Sequence, residues 1–126
     1  MTLTFMPSSR RWWAEPPLTV ELIEDGEQLR VNLRGELDIA TAPQLDAVTE
    51  RLGSRGPSLV VDLSALLFLD VGGARALTEL AAKVQAAGRP AILTGASRRA
   101  AFLLRHVAAD PEAAAAGAPG DRARRA

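Results

Sequence analysis

Residues 59 to 73 read Leu-Val-Val-Asp-Leu-Ser-Ala-Leu-Leu-Phe-Leu-Asp-Val-Gly-Gly, an apolar strand pattern ending in an acidic, glycine-rich turn. The opening Leu59-Val60-Val61-Asp62-Leu63 has the composition of a central strand covered on both faces. The pattern then changes period: Ala74, Leu77, Leu80, Ala81 and Val84 fall on one helical stripe from about Gly72 to Ala87, with Gly88 beyond its end. A strand that feeds straight into a helix must return through a crossover to a parallel neighbour, which restricts the chain to an α/β arrangement.

The flanking segments supply the neighbours. Leu18, Val20 and Leu22 alternate with Thr19, Glu21 and Ile23, Asp25-Gly26 makes a turn, and Leu29, Val31 and Leu33 alternate with Arg30, Asn32 and Arg34. This is a hairpin with one buried face. After Gly35, the segment Glu36 to Ala40 crosses to a helix opened by Thr41, with Pro43 in its first turn. Gln44, three residues after the threonine, completes a capping-box pattern. Leu45, Val48 and Leu52 repeat at helical spacing until Gly53 and Gly56-Pro57 stop the helix. Pro90 to Thr94 reads as another buried strand. A last helix, capped by Ser97, runs to about Val107 with Ala100, Ala101, Leu103, Leu104 and Val107 inward. The expected fold is a mixed sheet of about four strands, an opening hairpin followed by largely parallel strands, with about three helices packed against it.

Residues 1–17 end in a proline pair and show no sustained periodicity, so they read as an extension. Residues 18–109 form the domain, and 110–126, poor in large apolar residues, read as a flexible tail. Trp12 and Trp13 in the extension either pack back on the domain or anchor a partner. Arg122, Arg124 and Arg125 read as a solvated tail end.

Composition excludes several functions. The chain has 126 residues, enough for one domain to bury a core, and no cysteine, so neither disulfides nor thiolate chemistry are available. Its fifteen basic and fifteen acidic residues cancel, which removes the long-range attraction behind nonspecific nucleic-acid binding. Fourteen of the fifteen basic residues are arginine, a bias that fits a GC-rich genome as well as any arginine chemistry. No apolar run approaches the roughly 20 residues of a membrane span. Arg10-Arg11-Trp12-Trp13 is followed by Ala14-Glu15-Pro16-Pro17 and not by an apolar segment, so export is not expected and the cytoplasm is the expected compartment.

Two stretches, Arg34-Gly35-Glu36-Leu37-Asp38-Ile39-Ala40-Thr41-Ala42-Pro43 and the segment through Asp70-Val71-Gly72-Gly73, resemble the STAS domain of bacterial anti-sigma factor antagonists, and the likeness runs from about Leu18 to His106. In that family the turn reads Asp-Ser-Ser/Thr-Gly, and the hydroxyl residue before the glycine is phosphorylated by a partner kinase. Leu69-Asp70 and Gly73 match here, as do Gly35-Glu36-Leu37-Asp38; Val71 and Gly72 depart. The resemblance implies a non-enzymatic regulator that binds a serine-kinase anti-sigma factor and releases a sigma factor, through Glu36, Asp38, Thr41, Asp70, Val71, Gly72, Gly73 and Arg75. It implies no cofactor, and Gly72 stands in place of the phosphoacceptor. Ser64 and Thr78 are alternative acceptors, each explained more simply by local hydrogen bonding. The rival reading is a STAS-type scaffold or accessory subunit of a signalling assembly or transporter.

Other chemistry is thinly supported. His106, the only histidine, sits late in a helix, where packing or a favourable charge at the helix end explains it. Glu36, Asp38, Asp62 and Asp70 would suggest magnesium if they converged at one sheet end, although no ligand spacing supports a metal. Gly95-Ala96-Ser97-Arg98-Arg99 lacks the pattern of a phosphate loop and reads as a helix cap with solvated arginines. Direct nucleic-acid binding and membrane insertion are not expected, and the sequence is silent on oligomeric state.

Overall fold

The computed structural model describes residues 2–5, 16–52 and 58–109. Its sheet has five strands in sequence order: β1 (Thr2–Phe5), β2 (Leu18–Asp25), β3 (Gln28–Leu37), β4 (Ser58–Leu69) and β5 (Ala91–Thr94). β1–β2 and β2–β3 are antiparallel; β3–β4 and β4–β5 are parallel. The helices are α1 (Asp46–Leu52), preceded by a 3-10 turn over Ala42–Leu45, α2 (Val71–Ala86) and α3 (Arg98–Ala109). The opening hairpin and parallel continuation are as the periodicities require.

One core holds these elements together. Leu18, Val20 and Leu22 of β2, Leu29, Val31 and Leu33 of β3, and Leu59, Val61 and Leu63 of β4 point to the same face and are buried there. Leu45, Val48 and Leu52, the α2 stripe Ala74, Leu77, Leu80 and Val84, and Leu104 and Val107 of α3 close over them. Each fully buried leucine or valine contributes about 1.5–3 kcal/mol of transfer free energy. The opposite face carries the alternate residues. There Asn32 donates to Glu21 at 2.9 Å, and Arg30 pairs with Asp62 at 3.5 Å. Thr19, Glu21, Asn32, Arg34, Asp62 and Ser64 line a shallow polar groove of about 410 Å³ on this face.

Four details differ from the sequence reading. The segment read as an extension contributes β1, whose Thr2–Phe5 pairs with Val20–Ile23; its four residues are the shortest alternation that marks a strand. β4 continues past Leu63 to Leu69. β5 is half-exposed, with Ile92 54% accessible, because it is an edge strand. Finally, Thr41 makes no side-chain cap to the helix that follows; its hydroxyl is used inside the preceding loop. The stop at Gly53 and Gly56-Pro57, the tryptophan pair and the tail beyond Ala109 lie outside the described residues.

Candidate functional site

The parallel register of β3 and β4 ends with Leu37 opposite Leu69, so the two strands release their chains side by side at one end of the sheet. One continues into the loop 38–41, the other into Asp70 and α2. Both connections are built from short polar side chains that satisfy local backbone donors.

In the first loop, the Asp38 carboxylate oxygen Oδ1 accepts the N–H groups of Ala40 and Thr41, each at 2.9 Å. Thr41, 6% accessible, donates its hydroxyl to the Glu36 carbonyl at 2.9 Å and accepts the Asp38 N–H at 2.9 Å. An aspartate turn and a buried hydroxyl thus fix the loop without any regular ladder. In the second connection Asp70 is extended (φ −107°, ψ −178°) and its Oδ1 accepts the Gly73 N–H at 2.7 Å, a helix N-cap. The Asp70 N–H reaches back to the Leu37 carbonyl at 3.3 Å.

The two glycines join these pieces. A Cβ on Gly73 would stand 2.3 Å from the Leu37 carbonyl oxygen, and one on Gly72 would stand 2.9 Å from Ile39 Cβ and 3.1 Å from Ile39 Cα. Glycine lowers helix propensity by about 1 kcal/mol relative to alanine. Two in the first turn of α2 are explained by this close approach: the backbone of 37–39 lies directly on the helix start, and no side chain fits between. The result is one continuous surface made of the 38–41 loop and the first turn of α2.

That surface is more apolar than its acidic residues suggest. Ile39 is 76% accessible and Val71 45%, with Leu67 at 86% and Phe68 at 51% on the strand just before the turn. Val71 is among the contact residues the family resemblance implies; Ile39, Leu67 and Phe68 are not. Their signal was the loss of period-two alternation in Leu66-Leu67-Phe68-Leu69, a run too apolar to be fully exposed and too irregular to be fully buried. Glu36 is exposed at the end of β3, and Arg75 is half-buried on α2 with its Nε lacking a hydrogen-bond partner among the described residues.

Other candidates fall elsewhere or take local roles. Ser64 sits beside Asp62 on the open face of the sheet, its N–H bonded to Asp62 Oδ1 at 2.9 Å. That bond, the Ser64 hydroxyl and Arg30 hold the Asp62 carboxyl below its usual range. Asp62 therefore does not join Asp38 and Asp70, and among the described residues no group of three or more His, Asp or Glu could hold a metal ion. Thr78 donates to the Arg75 carbonyl at 2.9 Å within α2. Ser97 caps α3 as expected, accepting the Ala100 N–H at 3.1 Å. His106 is exposed and stacks on Phe102, ring centroids 6.3 Å apart. No described helix is long and apolar enough to cross a membrane.

Comparison with known proteins fits this geometry. The family model described as "Mlab, STAS domain" matches residues 20–110. Among solved structures, a substituted form of RsbS from Moorella thermoacetica is 27% identical, with a TM-score of 0.60 over 72% of this chain and 79% of that one. An anti-sigma factor antagonist from Mycobacterium paratuberculosis is likewise 27% identical, with a TM-score of 0.58 over 71% of this chain and 79% of that one. The murine Slc26a9 anion transporter shares the fold at 16% identity and a TM-score of 0.54, over 83% of this chain and 17% of the transporter. A search of the curated proteins finds no match. With a family model covering residues 20–110, most of its length, this chain belongs to the STAS-domain family.

Proposed function

We propose that the chain is a non-enzymatic anti-sigma factor antagonist, which binds an anti-sigma factor of the serine-kinase type in the cytoplasm and so leaves a sigma factor free. Docking would use the 35–41 loop, the Asp70–Gly73 turn and the exposed side of α2, with Glu36, Asp38, Thr41, Asp70, Val71, Gly72, Gly73 and Arg75 at or beside the contact. The observation that carries this reading is the clamp of the Leu37–Ile39 backbone on Gly72 and Gly73. It gives a rigid, shaped platform on which Ile39 and Val71 offer apolar area while Asp38 and Asp70 stand close by, and a preformed surface loses little entropy on binding.

The same clamp bears on regulation. A phosphoryl group at residue 72 would add about −1.5 to −2 charges close to Asp70 and repel an acidic or apolar partner face. Gly72 has no oxygen to accept it, and Ile39 fills the space a side chain would need. Binding would then follow the concentrations of the two proteins and escape control by phosphorylation at this position.

Incubation with a cognate serine-kinase anti-sigma factor and labelled ATP tests the reading. The complex is expected to form and to persist with ATP present. Label in the Asp70–Gly73 peptide, or no complex at all, would overturn it. A second reading, an accessory subunit of a transporter or other assembly, draws on the shared fold with the anion transporter. Co-purification with a transporter ATPase in place of an ATP-binding kinase would favour it.

A further inference from the structure

The outer edge of β4 changes character along its length. β5 pairs only with Leu59–Asp62, whereas β4 continues to Leu69 with β3 on one side and no described strand on the other. Within this overhang the β3 register jumps from Gly35 opposite Leu66 to Glu36 opposite Phe68, so Leu67 is a bulged residue without an opposite number. Bulges re-aim side chains and often mark sheet edges and sites. Here Leu67 and Phe68 both stand in solvent, 86% and 51% accessible. An edge protected against pairing usually carries charge at such positions; this one carries two large apolar groups.

Beside them lies a groove of about 150 Å³, between Leu63, Leu66 and Leu69 of β4 and Ser97 and Arg99 at the start of α3. Among the described residues, no carboxylate lines it. Arg98 and Arg99 are exposed and form no ion pair with any described residue, and Phe102, 65% accessible, follows one turn beyond Arg98. The positive end of the α3 dipole adds to their field.

We propose that this overhang docks a short, extended, acidic segment of a partner protein. Its backbone would pair with the free edge of β4, an apolar side chain would fill the groove, and carboxylates would meet Arg98 and Arg99. The bulge at Leu67 prevents a long regular ladder and so limits the segment's length. Charge decides the occupant: a second copy of this chain would bring its own Arg98 and Arg99 to the groove, and like charges oppose that pairing. The surface goes beyond the anti-sigma reading, since it uses β4 and α3 and needs neither the 38–41 loop nor Gly72.

Short random peptides displayed on phage and selected against the full chain test this. Sequences with an apolar residue flanked by Asp or Glu are expected to be enriched. Their synthetic forms should bind the full chain in fluorescence polarisation and lose about tenfold or more in affinity against Leu67→Lys and against Arg98→Glu with Arg99→Glu. Methylation of alternate peptide amides should also weaken binding, and Ile39→Asp should not, which separates this surface from the anti-sigma site. Circular dichroism checks that each variant folds. Failure to enrich any sequence, enrichment of basic sequences, or binding indifferent to these substitutions would overturn the proposal. Self-association of the wild type that Leu67→Lys abolishes would also overturn it, by assigning the edge to a second copy.

Discussion

Two of the described strand-to-helix connections, into α2 and into α3, have the same capping chemistry and different surroundings. Asp70 caps α2 by accepting the Gly73 N–H at 2.7 Å, and Ser97 caps α3 by accepting the Ala100 N–H at 3.1 Å. At α3 the residues after the cap are arginines reaching into solvent. At α2 they are valine and two glycines, with the 37–39 backbone pressed on the glycines. A cap alone therefore starts a helix. It becomes a built surface only where missing side chains let a second segment close against it.

Substitutions at the two connections can break that contrast. The largest effect is expected for Gly73→Ala, because the new Cβ would sit 2.3 Å from the Leu37 carbonyl oxygen and backbone must move. A loss of about 3 kcal/mol in urea unfolding is expected, and a loss within experimental error would mean the clamp is loose. Gly72→Ser meets the Cβ and Cα of Ile39 at 2.9 and 3.1 Å, and a loss of about 1–2 kcal/mol is expected. Arg99→Ala, at the second residue after the Ser97 cap, should leave stability within about 0.5 kcal/mol. Removing the caps themselves, Asp70→Ala and Ser97→Ala, should cost about 1 kcal/mol each; near-equal values would show that the cap is common to both connections and the clamp is what differs.

The smallest effect lies away from both. Asp62 is held below its ordinary pKa of 3.8 by Ser64 and Arg30. A carboxyl depressed on folding stabilises above its unfolded pKa and loses that contribution as pH falls through the folded value. Asp62→Asn should therefore cost on the order of 0.5 kcal/mol near neutral pH, and the difference should vanish in acid. Urea midpoints at neutral and acid pH read this directly. A difference that grows in acid would contradict the assigned hydrogen bonds.

Much of this was legible in the residues, for physical reasons. Period-two alternation in Leu18–Leu22 and Leu29–Leu33 and the helical stripe of α2 report which face is buried, and burial decides the elements. Asp70 and Ser97 announce their caps because a short oxygen-bearing side chain before a helix has few other uses. What stayed hidden depends on contacts between segments far apart in sequence. Nothing in Ile39 alone shows that it fills the Cβ position of Gly72. Thr41 carries the capping-box signature, yet its hydroxyl is taken by the Glu36 carbonyl and the Asp38 N–H, a competition only the folded loop reveals. The bulge at Leu67 breaks the alternation by which a strand's faces are recognised, so the apolar run before Asp70 does not show which of Leu66 to Leu69 face solvent.

The docking surface proposed for the anti-sigma factor joins the 38–41 loop to the first turn of α2. Calorimetric titration of a cognate serine-kinase anti-sigma factor with the wild type, Ile39→Asp, Val71→Asp and the edge-strand control Ile92→Asp tests it most directly. Both Ile39→Asp and Val71→Asp are expected to weaken binding by about tenfold or more, with Ile92→Asp equal to the wild type. Full affinity in the first two variants, or equal losses in all three, would contradict the account.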